Sequence, residues 1–256
     1  MKSVFFSAIA LMGILLSSCN KEVTTPGPVP ANEKKQLVKQ ISSGNYADTV
    51  NYEYDAQGRV TKVIYSEDVF TLTYNGNSFT VKDFRPVENR LVLDATATLD
   101  VNKRVTKLNG NAAYVANSPY TTEHTYTYGQ SANLLEITDV RSNGVVVKNV
   151  YTWSNGDITR NDVLINGVLK YYTTYEYFNL DDITGIDLYR FNCAVTGITG
   201  VNSKHLVKKA TTSYTDNTPP FFVDYMYTLD SQGYPVKLET KNAYGDQLKF
   251  VYSYNK

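Results

Sequence analysis

The chain of 256 residues holds two cysteines, two histidines and one tryptophan, and its 25 basic residues are matched by 25 acidic ones. Each scarcity removes a possibility. Two cysteines, Cys19 and Cys193, allow one disulfide at most, so the fold is not a disulfide scaffold. His124 and His205, 81 residues apart, stand in no metal-ligand spacing, so no metal or cofactor site is read from them. Balanced charge offers no basic excess to neutralise a phosphate backbone, which excludes nucleic acid as an expected partner. The longest apolar run, Val4 to Leu16, falls short of the roughly 20 residues a helix needs to cross a bilayer.

That run follows Lys2 and is interrupted only by Ser7 and Gly13, which is the pattern of a signal peptide. It ends in Leu16-Ser17-Ser18-Cys19, which resembles the bacterial lipobox, a Leu and two small residues before a Cys. The resemblance implies a diacylglyceryl thioether on Cys19, removal of residues 1–18, and acylation of the new amino terminus. Several acyl chains together give stable anchoring where one would not. Asn20-Lys21-Glu22 partly resembles the Lys-then-acidic export signal of Bacteroidetes lipoproteins, with Val23 where a second acid would follow. The expected location is therefore the outer membrane, lipid-anchored, with the cell surface favoured over the periplasmic face.

Residues 19–35 read as the lipidated Cys19 and a flexible Pro/Thr-rich tether with Pro26, Pro28 and Pro30, and 36–256 as a single all-β repeat domain. Removing residues 1–18 takes out Lys2, so the mature chain keeps 24 basic residues against 25 acidic. With Cys19 committed to lipid, Cys193 is left as a buried inert thiol, and packing and hydrogen bonds must hold the domain together.

A pattern recurs through that domain: rings at alternate positions, a turn of Asp, Asn or Gly, then an aliphatic strand. Its clearest copies run from Tyr52 through Asp55, Gly58 and Val60 to Val63, and from Tyr225 through Asp230 and Gly233 to Leu238. Others are Leu99 to Leu108, Tyr126 to Ile137, and Tyr151 to Ile158, with Tyr74-Asn75-Gly76-Asn77 and Phe250 to Tyr254 as further members. Alternate rings fall on one face of a strand and Thr, Glu, Lys or Ser on the other, the mark of a half-buried antiparallel strand. Asp-x-x-Gly and Asn-Gly supply the positive φ that hairpin turns need. At roughly 12 residues per strand and turn, on the order of 16 to 18 strands are expected. So many cannot stay an open sheet, and the predicted architecture is an all-β antiparallel meander of repeated hairpins curled into a barrel-like roll or double-layered sheet. Between Asn179 and Asn192, apolar residues at helical spacing behind Asp181 and Asp182 suggest a short helix near 179–192. Gln36 to Ile41 reads as a strand or one helical turn.

The Tyr-x-Tyr-Asp-x-x-Gly-Arg-Val form resembles the YD repeats of RHS-type proteins. The lipobox, the spaced hairpins and the segment Gly200 to Lys209 are more similar to Bacteroidetes lipoproteins with a DUF4595-type domain, although Leu206-Val207 stands where that pattern has Leu-Pro. The resemblance covers most of the mature chain and implies a porin-like antiparallel β fold with no established activity. A membrane-spanning barrel is not expected, because Glu53, Lys62, Glu176, Lys237 and Glu239 interrupt the strands.

No catalytic set emerges. Glu123 and His124 are neighbours on a strand and point to opposite faces. Asp181, Asp182 and Asp187 lack the alternate ligands and central glycine of a calcium loop. The 22 tyrosines suit sugar stacking and protein interfaces, but they follow the hairpin repeat, so they read as cross-strand ladders. The function these features suggest is a non-catalytic envelope binding or scaffold module for a glycan or protein ligand. The alternative is a glycan hydrolase with carboxylates on a concave β surface, and a third reading is a packing unit of an envelope complex.

Overall fold

Rings two residues apart on a strand share a face, and when a chain of hairpins curls until its first strand meets its last, that face closes on itself. A computed structural model describes residues 35–43, 47–112, 120–184 and 202–255. The first quarter holds β1 (Leu37–Ser43), β2 (Thr49–Tyr54), β3 (Val60–Ile64) and β4 (Val69–Asn75). Next come β5 (Ser78–Arg85), β6 (Arg90–Leu99), β7 (Val105–Ala112) and β8 (Tyr120–Tyr128). They are followed by β9 (Leu134–Arg141), β10 (Val146–Ser154), β11 (Asp157–Ile165) and β12 (Val168–Asp181). The last four are β13 (His205–Tyr214), β14 (Phe221–Leu229), β15 (Pro235–Asn242) and β16 (Gln247–Tyr254). Each strand pairs antiparallel with its sequence neighbours, and β1 pairs with β16 to close the barrel, with Gln40 opposite Tyr252 on one side and Val50 on the other. The expected all-β antiparallel meander is thus a closed barrel of sixteen described strands, and residues 37–43 are strand.

Among the described residues no second layer covers the outside of this single sheet, so side chains are buried by pointing inward. Tyr52, Tyr151, Tyr225, Phe250 and Tyr252 are all buried, as the alternation predicts. Three apolar clusters line the interior and share members: Val60 and Phe70 join the first to the second, Tyr126 the second to the third, and Tyr175 the third to the first. These clusters line the interior with buried side chains, and burying each large apolar one contributes roughly 1.5–3 kcal/mol.

The two ends of the barrel differ. Even-numbered strands finish at one end, the turn end, where Lys35 and Asn255 also lie and where every connection but that from β12 to β13 is a tight turn, and odd-numbered strands finish at the other, the loop end. At the turn end the repeat's aspartate organises the reversal: Asp55 Oδ1 accepts the amides of Gln57 and Arg59 at 3.0 and 2.9 Å, and Asp100 and Asp230 do the same in their turns. The fourth residue of each turn takes positive φ, which Gly58 (76°) and Gly233 (88°) adopt freely, while Lys103 (63°) and Ala132 (64°) hold it against their Cβ.

Beyond these turns lies a feature that strict alternation does not predict. The register shifts just before Tyr54, Leu99, Tyr128, Trp153 and Leu229. One residue of the returning strand, Thr61 in the first case, is left unpaired as a β-bulge. Val60 and Val63, three apart, therefore share the inner face. A ring near the end of an even strand then reaches back to an opening carbonyl of the strand before it. Tyr54 Oη donates to Leu37 O at 2.6 Å, Tyr128 to Val105 O at 2.8 Å, Tyr177 to Ile158 O at 2.6 Å and Tyr254 to Pro235 O at 2.8 Å. Trp153 Nε1 donates to Leu134 O at 2.7 Å in the same way. Such pairs are joined covalently only at the loop end, so these bonds tie them at the turn end.

The helix expected from residue 179 is not found at its start. Asn179, Leu180 and Asp181 continue β12: the register with β13 shifts after Tyr177, and Asp181 stands opposite His205. Residues 185–192 lie outside those described, as do Cys19, Asp187 and Cys193.

Candidate functional site

The outer wall carries charge in mid-strand. Lys62 pairs with Glu53 at 3.3 Å, Lys82 with Asp94 at 3.3 Å, Lys107 with Glu123 at 2.7 Å, Lys148 with Glu136 at 2.9 Å and Lys237 with Glu239 at 2.6 Å. A lipid-facing barrel needs an apolar belt about 25 Å tall. Here a single apolar row near the loop end, Ile64, Val69, Phe84 and Leu91 in register, with Val87 on the adjoining turn, is the main outward hydrophobic feature.

On that wall β6 to β9 form a shallow, open groove of about 640 Å³. It exists because the wall draws inward here. Ala95 and Ala97 are small and buried, and Gly110 approaches β6 so closely that a Cβ on it would lie 2.3 Å from the Ala95 Cβ. A larger residue at 110 would force the strands apart. Register then assembles the lining: Asp94 stands opposite Asn111, which stands opposite Thr121, and Thr96 opposite Asn109, which stands opposite Glu123. Val140, Arg141 and Ser142 complete it from the end of β9. Val140 is the single apolar side chain among them.

Asp94 and Glu123 are the two carboxylates. They sit two strands and two residues apart, so their Cα atoms are on the order of 12 Å from each other. Each is about half exposed and paired with a lysine on the neighbouring strand. That is the arrangement of a solvated wall, and it lacks the buried proton donor that glycoside hydrolysis uses.

The histidines lie elsewhere and apart. His124 points inward, as alternation from the outward Glu123 requires. Its Nε2 is 3.7 Å from Asp139, whose other oxygen accepts Arg141 Nε at 2.8 Å. Burial lowers the His124 pKa, Asp139 opposes that and Arg141 adds to it. His205, at the turn end, is held by Asp157 through a 2.7 Å contact at Nδ1 and a 2.9 Å bond from its own amide, and its Nε2 is 3.6 Å from Asp181. The nearby Ser203 hydroxyl is taken by Tyr177 at 2.7 Å and by the Ile158 amide at 3.0 Å, so no Ser-His pair forms. These contacts fasten the chain entering β13 onto the β10–β11 turn. Among the described residues no group of His, Cys, Asp and Glu could hold a metal.

One interior group stands out. Asp83 is only 1 % exposed, lies between Phe70 and Leu93 in register, and neither of its oxygens has a hydrogen-bond partner among the described residues. Burial pushes its carboxyl up to about 7, Asp68 adds to this, and Arg85 and Arg90 oppose it. Sequence reasoning missed both Asp83 and the groove.

Closure of sixteen described strands, an apolar inner lining and charged pairs on the outer wall define the class: an antiparallel β-barrel. In overall fold the chain is similar to a porin-like protein from Bacteroides uniformis ATCC 8492, with a TM-score of 0.64 and 16% identity over 87% of this chain and 97% of that one. It is also similar to a porin-like protein from Bacteroides vulgatus ATCC 8482, with a TM-score of 0.62 and 15% identity over 86% of this chain and 99% of that one. No protein-family model matches the chain, and no curated protein matches it. At such identities the likeness is one of fold, and it agrees with the porin-like β fold expected from the sequence.

Proposed function

We propose that this is a lipid-anchored envelope protein of the DUF4595-type Bacteroidetes lipoproteins, attached through Cys19, whose barrel acts as a non-catalytic binding or scaffold module. The observation that carries the reading is the contrast between an apolar inner lining and a shallow outer groove flanked by hydrogen-bonding side chains. With the inside filled by Tyr, Phe, Val and Leu, recognition falls to the outside, where the groove on β6 to β9 offers hydrogen-bonding groups and no buried acid. The tether would join the barrel at the turn end, where Lys35 pairs with Asp230 at 2.8 Å and its amide donates to Tyr234 Oη at 2.9 Å. The groove would then stand on the flank of a domain displayed from the outer membrane, with the surface favoured over the periplasmic face. The test is to incubate the purified mature chain with envelope polysaccharides and to measure retention and new reducing ends together. Retention without hydrolysis is expected. Release of reducing ends that disappears in Asp94→Asn or Glu123→Gln would replace this reading with a hydrolase. Palmitate labelling that is lost in Cys19→Ser checks the anchor.

A further inference from the structure

From the chemistry of the groove on β6 to β9 we infer that it is the binding site for a neutral, extended oligosaccharide. The inference rests on the binding-module reading and names the ligand class of that same site. Three other classes fit poorly. An acidic ligand, such as a uronate or phosphate polymer, would meet Asp94 and Glu123 at opposite corners. A cationic ligand would find both carboxylates already answered, by Lys82 at 3.3 Å and Lys107 at 2.7 Å. A peptide anchored by large side chains needs an apolar pocket, and the lining offers one valine.

An uncharged ligand rich in hydroxyls remains, and the lining suits it. Asn109 and Asn111 lie in the middle of the groove, both exposed, and neither amide has a hydrogen-bond partner among the described residues. Each amide both donates and accepts, so it can meet a sugar hydroxyl in either sense. The two lie on one strand, roughly 6.6 Å apart along it, with Thr96 and Thr121 one strand spacing, about 4.8 Å, to either side. That makes a grid of short polar groups along which a chain of rings can lie.

The test uses the full mature chain in detergent, titrated calorimetrically with maltohexaose, cellohexaose and mannohexaose, and with hexagalacturonate as the acidic probe. At least one neutral hexamer should bind, hexagalacturonate should bind at least tenfold more weakly, and Asn109→Ala/Asn111→Ala should weaken the neutral hexamer at least tenfold. Both asparagines are exposed, so an unchanged melting temperature shows that the variant is folded. Side-chain amide resonances of Asn109 and Asn111 should shift on titration, and Lys237→Ala, distant on β15, should keep full affinity. Failure of every neutral hexamer to bind, or equal binding of hexagalacturonate, overturns the inference. Binding that survives the double substitution overturns the groove but leaves the binding-module reading standing, whereas hydrolysis of the bound hexamer overturns that reading as well.

Discussion

Asp83 makes the barrel's stability depend on pH in the direction opposite to that of most carboxylates. Its carboxyl rises from an ordinary 3.8 to about 7 in the folded chain, chiefly through burial. Between those two values the folded state holds a proton that the unfolded state has lost, so stability falls as pH rises. The penalty is absent below about 4, grows through the window and is complete above about 7. A gap of about three pH units at 1.36 kcal/mol each comes to about 4 kcal/mol, of which about 3 falls between pH 5 and pH 7. With a urea slope of about 2–3 kcal/mol/M for a domain of this size, the denaturation midpoint should drop by about 1 M between pH 5 and pH 8. Asp83→Asn removes the titration, so its midpoint should match the native chain below about pH 4 and exceed it by about 1.5–2 M at pH 8. His124 titrates in the same range with the opposite sign, since burial lowers its pKa and stability gains as pH rises through the unfolded value. That contribution is common to both chains and cancels in the difference. Parallel midpoint-against-pH curves for Asp83→Asn and the native chain would refute the reasoning.

The ring-to-carbonyl ties predict a contrast between two substitutions alike in chemistry. Tyr177→Phe removes the donor to Ile158 O at 2.6 Å and a partner of Ser203, and should cost about 1–3 kcal/mol in urea denaturation. Tyr74→Phe should be neutral or stabilising by about 1 kcal/mol, because the buried Tyr74 hydroxyl has no partner among the described residues and its desolvation is relieved. At the turn end, Ala132→Gly should raise the melting temperature, since relief of the left-handed strain at φ 64° is worth about 1–2 kcal/mol and outweighs the roughly 0.5–1 kcal/mol of added chain entropy.

Much of the barrel was legible because its repeat is written twice, in ring alternation and in turn residues. Tyr52 and Tyr54, or Tyr252 and Tyr254, could face one way only if the sheet had a sealed side, and Asp55, Asp100 and Asp230 marked the reversals. The bulges were less visible, although Val60 and Val63 carry their signal: two apolar residues three apart in a strand share a face only when one residue between them is left unpaired. The strand number implied curling into a barrel-like roll, but the seam could not be read, because pairing Gln40 with Tyr252 joins positions more than 200 residues apart and no local pattern encodes it. The helix near 179 was misjudged where helical spacing competed with an unfinished ladder, and the ladder prevailed. The groove left almost no trace. Asp94, Asn109, Asn111 and Glu123 come from three strands and each looks like an ordinary outward residue; Gly110, a glycine in mid-strand, was the one local sign of a close approach.

The account depends on which side of the wall meets water. Single cysteines placed at Glu53, Lys82, Lys107, Lys148 and Lys237 in a Cys193→Ser background, in membranes of cells producing the full chain, can be probed with a membrane-impermeant maleimide after the outer face is opened. All five should label at rates close to those in the detergent-purified protein, while cysteines at Val63 and Leu238 should label only after unfolding. A continuous protected belt across the five outward positions, with Val63 and Leu238 reactive, would contradict it.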